Sequence, residues 1–278
     1  MSDTYPIHDS NIVKHMTIGE LPAFLAASPM HLRKSSNDSF YGNGWNYSID
    51  KLTSGDMSNV AAAEKILGQM SDAELFTIGQ PLPVRSYWGS VPNIGAAIAG
   101  QPKTMYRRKR SENQAINTPI SIYVDCIVSA GLSHNEIVNR GVAILALVMA
   151  LNKIRPTSLY FVGIDNGVFK GSVVGMAVKM DTTPIDLGRA TFALTSTEYA
   201  RMVSFSALAA IKRASYSGCW GWYGDSHSEK YQNSARQLFS LEPHDLFLTG
   251  AHVSDGLSTS NPIAWVKAML ARHGAHID

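Results

Sequence analysis

The sequence predicts an α/β protein: a three-layer sheet with helices on both faces over residues 119–278, preceded by an α-rich, irregular lobe over 1–118. Three observations predict it. From 119 onward the pattern runs strand, helix, strand, hairpin strand, helix, strand, helix. The strands and the first of those helices are nearly continuous apolar runs, as expected of a sheet covered on both sides. Before 119 the chain has no such order, and "GQPLPVRSYWGSVPNIGAAIAGQPKTMYRRKRSENQAINTP" carries several of the prolines. Its end, near 118, is the expected domain boundary.

The elements follow in order. In residues 1–30 the only regular element expected is a short helix at "LPAFLAA", with Thr17 and Glu20 at capping-box spacing before it. Residues 33–56 are rich in Ser, Asn and Gly and are expected to be irregular. "MSNVAAAEKILGQM" reads as a helix with Val60, Ala63, Ile66, Leu67 and Met70 on one face. "SDAELF" suggests a capped turn, and "VPNIGAAIAG" a short helix.

"ISIYVDCIV" is a strand, and Ser133 with Glu136 forms a capping box for a helix running to about 153, just before Pro156. "SLYFVGI" is the next strand. "DNG" at 165–167 marks a hairpin that returns through "FKGSVVGMAVKM". Thr195 and Glu198 have capping spacing for a helix to about Arg213. "CWGWYGDSHSEKYQN", 219–233, reads as a loop. "DLFLTGAHV" is a strand, and Asn261, Pro262 and Gly274 bracket the final helix. A strand–helix–strand crossover implies parallel neighbours.

Composition narrows the function classes. Hydrophobic residues make up 45% of 278, enough for a core, and the formal net charge of +2 puts any basic signal into local patches. Two cysteines, Cys126 and Cys219, give no disulfide framework and point to a reducing compartment. The N-terminal residues lack a signal-peptide pattern, and no uninterrupted apolar run approaches the ~20 residues that span a bilayer. A cytoplasmic protein without membrane contacts is expected. There is no HExxH, no G-x-S-x-G elbow and no phosphate-binding glycine loop, so neither a catalytic residue nor a cofactor is expected.

Asp125 stands late in its strand, shortly before a helix start, where open α/β sheets bind ligands. With the element order, this placement resembles a von Willebrand factor A domain. That family sets Asp-x-Ser-x-Ser, a Thr and an Asp around one divalent cation, and oxygen donors suit magnesium. In "DCIVS" Asp125 and Ser129 match the first and last positions, but Ile127 replaces the middle serine and Gly250 stands where the Asp would follow Thr249. Asp255 is a substitute ligand in the metal-dependent reading. The plainer alternative is a strand-end aspartate bonded to backbone amides. Arg140 and Gly141 lie about two turns into the helix; Arg140 has the length to reach back to Asp125 or Asp165, and Gly141 suits a close backbone approach.

The strongest binding signal is "KTMYRRKR": Lys103, Arg107, Arg108, Lys109 and Arg110, with Tyr106 inside the run and Tyr87 and Trp88 before it. Cations that track phosphates, interleaved with rings that stack on bases, suit single-stranded nucleic acid. A second cluster runs from Lys212 and Arg213 to Tyr216, Trp220, Trp222 and Tyr223. "GSVPNIGAAIAGQPKTMYRRK" and "SHNEIVNRGVAILALVMALNKIRP", with the pattern from Phe40 to Trp45, resemble an uncharacterised family of tailed-bacteriophage proteins. That resemblance implies a viral protein acting in the host cytoplasm. The expectation is a non-enzymatic protein that binds single-stranded DNA or RNA in viral DNA metabolism or transcription. The alternatives are a module that binds host or phage proteins or self-assembles into a homo-oligomer, and a magnesium-dependent enzyme centred on Asp125.

Overall fold

The computed structural model describes residues 12–27, 42–69, 83–88, 91–108, 119–129, 131–165, 174–182, 184–212, 229–251 and 261–273. The chain forms an α/β fold around a five-stranded, mostly parallel sheet. Its strands are β1 (Ile12–Thr17), β5 (Ile120–Asp125), β6 (Thr157–Asp165), β7 (Val174–Met180) and β8 (Leu246–Leu248), in the order β1-β7-β6-β5-β8. β5 is parallel to β6 and β8, β7 returns antiparallel to β6, and β1 lies parallel to β7 at the edge. A separate three-stranded antiparallel sheet, β2-β4-β3, joins β2 (Pro83–Ser86), β3 (Val91–Pro92) and β4 (Met105–Arg108).

The helices are α1 (Leu21–Ala26), α2 (Trp45–Ser54), α3 (Val60–Gly68), α4 (Ile94–Ile98), α5 (His134–Ile154), α6 (Leu187–Thr195), α7 (Ser204–Lys212), α8 (Glu229–Leu238) and α9 (Pro262–His273). A π-helical turn, Tyr199–Val203, leads into α7. Strand alternation sorts the core. Ile122, Val124, Leu159, Phe161, Met176, Val178 and Leu248 join the large cluster built with α5, α6, α7 and α9. Tyr123, Val162, Ile164, Ala177 and Phe247 point the other way and meet Tyr231, Ala235 and Phe239 from α8 and its end.

Residues on both sides of position 118 enter that large cluster: Leu21, Leu25, Leu52, Ala63, Ile66 and Leu67 pack with the α5 core. β1 extends the sheet itself, so the N-terminal segment contributes a strand where only a short helix is expected. The stretch expected to be irregular holds α2, anchored by buried Ser48 and Leu52.

α5 begins as its sequence dictates. Ser133 accepts the Glu136 backbone N–H while the Glu136 carboxylate accepts from the Ser133 backbone, which satisfies two of the donors a helix start leaves open. By length and composition α5 is apolar enough to cross a membrane, but 67% of that apolar window is buried in the fold. Gly141 explains how it packs: an added Cβ would lie 2.2 Å from the Leu194 carbonyl oxygen of α6, so only glycine permits this helix crossing.

The cap of the later helix differs from expectation. Thr195 donates its hydroxyl back to Thr191 and ends α6. The acceptor for the next helical stretch is Ser196, whose Oγ takes the Tyr199 backbone N–H at 2.8 Å. Glu198 leaves the cap and instead accepts from the backbone and side-chain nitrogens of Asn43, both at 2.8 Å. The tertiary partner outcompetes local capping here, because Glu198 is buried and needs donors.

Candidate functional site

Two places carry the residues singled out by the sequence: a buried polar centre at the carboxyl end of β5, and the small β2-β4-β3 sheet with its turn.

Asp125 is fully buried at the end of β5. One carboxylate oxygen accepts the Ile127 backbone N–H at 2.9 Å, the other accepts the Tyr231 hydroxyl at 2.6 Å, and Gly250 adds a backbone donor. Burial pushes its carboxyl up to about 6, and these donors, together with the Arg140 charge, hold it from rising further. Arg140 is itself buried and donates to the Thr249 carbonyl, so this side chain does run back from α5 to the ends of β5 and β8. Gly250 lets those ends close up: a Cβ there would come within 2.4 Å of the Ile127 carbonyl oxygen.

Around this centre Arg201 donates to the carbonyls of Ser129 at 3.1 Å and Leu132 at 2.9 Å, pinning the loop between β5 and α5. Ser129 spends its backbone N–H on Ala251 at 2.9 Å. Cys126 is buried, and desolvation drives its thiol well above the usual range, which makes it a poor nucleophile. The cavity beside Asp125, Cys126 and Arg140 measures about 10 Å³, room for about one water and for no substrate. Both oxygens of Asp125 already serve protein donors, as in the plainer sequence reading of a strand-end aspartate. No group of three or more His, Cys, Asp or Glu side chains suited to a metal ion occurs among the described residues. Asp255, the third candidate ligand, lies outside them.

Tyr231 is the member of this centre that sequence reasoning misses. It falls in the stretch 219–233 read as a loop, whereas its residues from 229 belong to α8. The available signal was the spacing of Tyr231, Ala235 and Leu238, an apolar stripe one helical turn apart on an otherwise polar segment.

The small sheet gathers the basic and aromatic residues. β4 is its central strand and carries Arg107 opposite Val84 and Arg108 opposite Pro83. Tyr106 stands opposite both Arg85 and Val91. Tyr106 is half-buried, and its hydroxyl accepts from Asn93 at 2.9 Å, which ties β4 to the N-cap of α4. Tyr87 and Trp88, just after β2, are 68% and 67% exposed. The Lys103 ammonium lies 5.9 Å from the centre of the Tyr87 ring, within cation–π range. Arg85 is exposed and donates to Gln101 at 2.7 Å. Tyr87, Trp88, Lys103 and Tyr106 thus come together with the backbone of Arg107 and Arg108. Lys109 and Arg110 lie outside the described residues, as does the second cluster beyond Lys212.

A domain of unknown function, DUF7192, matches residues 14–245. The chain belongs to the DUF7192 family. The DUF7192 match takes in both places just described, including Asp125, Arg140, Tyr231 and the basic turn. No curated protein and no solved structure matches the chain.

Proposed function

We propose that this DUF7192 protein binds single-stranded nucleic acid through the β2-β4-β3 sheet and its turn, as a non-enzymatic accessory protein of viral DNA metabolism or transcription. The observation that carries the reading is the exposure of Tyr87 and Trp88 beside Lys103, Arg85 and the cationic strand β4. Soluble folds rarely leave two adjacent large rings in water without a use for them. Rings with cations are the chemistry of single-strand grooves. The phage-family resemblance of 89–109 supports the viral setting. The order β7-β6-β5-β8, with β7 reversed, supports a three-layer, A-domain-like scaffold.

The test is fluorescence anisotropy with a labelled single-stranded oligonucleotide, titrated at several salt concentrations. Binding that weakens steeply with salt is expected, because displaced counterions drive it. No binding at low salt discards the reading.

A second reading has its own observation. Ile94 and Ile98 are 68% and 83% exposed, four residues apart on α4, next to the same turn. An apolar pair at that spacing fits a protein-interaction module. Ile94→Ser/Ile98→Ser abolishing a host or phage partner's binding, while oligonucleotide binding is absent, would favour it. The magnesium-dependent reading has less support, since both oxygens of Asp125 already accept from protein donors. A melting temperature raised by magnesium would revive it.

A further inference from the structure

Resting on the single-strand reading above, we propose that Tyr87, Trp88 and Lys103 hold unpaired nucleic acid by ring stacking and charge, independently of its sequence. Trp88 and Tyr87 supply stacking faces, and Lys103 acts as a positioning residue for Tyr87 while meeting phosphate.

The polar groups around the turn argue for this. Sequence is read by amides and guanidinium groups aimed at base edges. Among the described residues, the Asn93 amide is committed to the protein at both ends. Asn93 uses its carbonyl oxygen to accept from the Ala96 backbone at 3.1 Å and its amide nitrogen to donate to Tyr106 at 2.9 Å. The Gln101 carbonyl oxygen accepts from one Arg85 guanidinium nitrogen at 2.7 Å. The Tyr106 hydroxyl is engaged by Asn93. Among the described residues, exposed ring surface and charge lie at Tyr87, Trp88, Lys103 and Arg85.

Every base has a π-face and every nucleotide a phosphate, so such a surface discriminates paired from unpaired strands and little else. Lys103 against the Tyr87 ring reduces the freedom that ring would lose on stacking, and it places a positive charge beside the stacked base.

The experiment compares the full chain with Trp88→Ala, Trp88→Phe and Lys103→Met, using labelled single strands of about 20 nucleotides in several scrambled orders and one duplex. Scrambled strands should bind within about threefold of one another, and the duplex should bind at least about tenfold more weakly. Trp88→Ala should lose about tenfold in affinity with its salt slope unchanged, and Trp88→Phe should recover most of that loss. Lys103→Met should lower the salt slope by about 0.7, the value for one phosphate contact on a single strand. Scrambled strands that differ by more than about tenfold, or a Trp88→Ala protein that binds as the parent does, overturn the inference and leave the proposed function standing. Failure of every strand to bind at low salt, or equal binding of the duplex, removes the proposed function itself.

Discussion

At the scale of single residues, Asp125 combines a buried charge with donors that all want an acceptor. Its carboxyl is raised from an ordinary value near 3.8 to about 6. The folded protein therefore binds a proton more tightly than the unfolded chain between those values. Stability from this group is fully present below about 3.8 and is lost as pH rises through 6, a swing of about 3 kcal/mol. Asp125→Asn removes the titration and turns an amide NH₂ toward the Ile127, Tyr231 and Gly250 donors. The stability gap between parent and variant should widen in the parent's favour as pH falls from 7 to 4.5. Urea melts at both pH values measure it, and a gap independent of pH would show that the carboxyl is not desolvated. Gly141 is the second residue with a sharp outcome. Gly141→Ala forces α5 and α6 apart and should cost about 3 kcal/mol, read from the same melts.

At the scale of elements, α8 depends on Asp125 more than on its own propensity. Its polar face carries no intrinsic reason to sit on the sheet, and Tyr231, Ala235 and Phe239 do the burying. Tyr231→Phe keeps the ring and deletes only the 2.6 Å bond to Asp125. It should cost about 2 kcal/mol at pH 7, where the acceptor is charged, and less at pH 4, where it is neutral. Ser133→Ala should cost about 1 kcal/mol by opening the α5 capping box. The contrast between these two helices shows what was legible in the sequence. α5 was readable because Ser133, Glu136 and a long apolar run act within the element. The antiparallel β6–β7 pair was readable as two apolar runs flanking "DNG", but its register, Leu159–Met180 to Asp165–Val174, starts the return strand at Val174, later than a two-residue turn at 166–167 would. α2 was hidden: its Asn, Ser and Thr are weak helix formers, and it is held by Leu52 in a core supplied from far along the chain. β1 was hidden for the same reason, since only β7 tells Ile12–Thr17 to be a strand. At the Asp125 centre, the aspartate and Arg140 were visible as types and spacings. Tyr231 was not, because it arrives from 106 residues away.

At the scale of the whole molecule, the segment before 118 and the α/β order after it share one core. β1 covers the free edge of β7, and Leu21, Leu25, Leu52, Ala63, Ile66 and Leu67 pack into the same core as α5, α6 and α7. Six buried aliphatic side chains are worth roughly 1.5–3 kcal/mol each when fully buried, except that alanine gives less. Before the entropy of ordering them, their sum is of the same order as the whole stability of an ordinary domain, about 5–15 kcal/mol, so losing them removes a large share of what holds the fold. A fragment of residues 119–278 should therefore fail to reach a packed native state on its own. It should keep helical signal in the far ultraviolet, bind a hydrophobic dye and melt without a cooperative transition. The full chain should give a single sharp transition under the same conditions. A fragment that melts cooperatively would mean that the two parts stabilise themselves separately. In that case the basic turn at 83–108 would be carried by a lobe free to move as its own unit, and its oligonucleotide binding should survive in a fragment of residues 1–118.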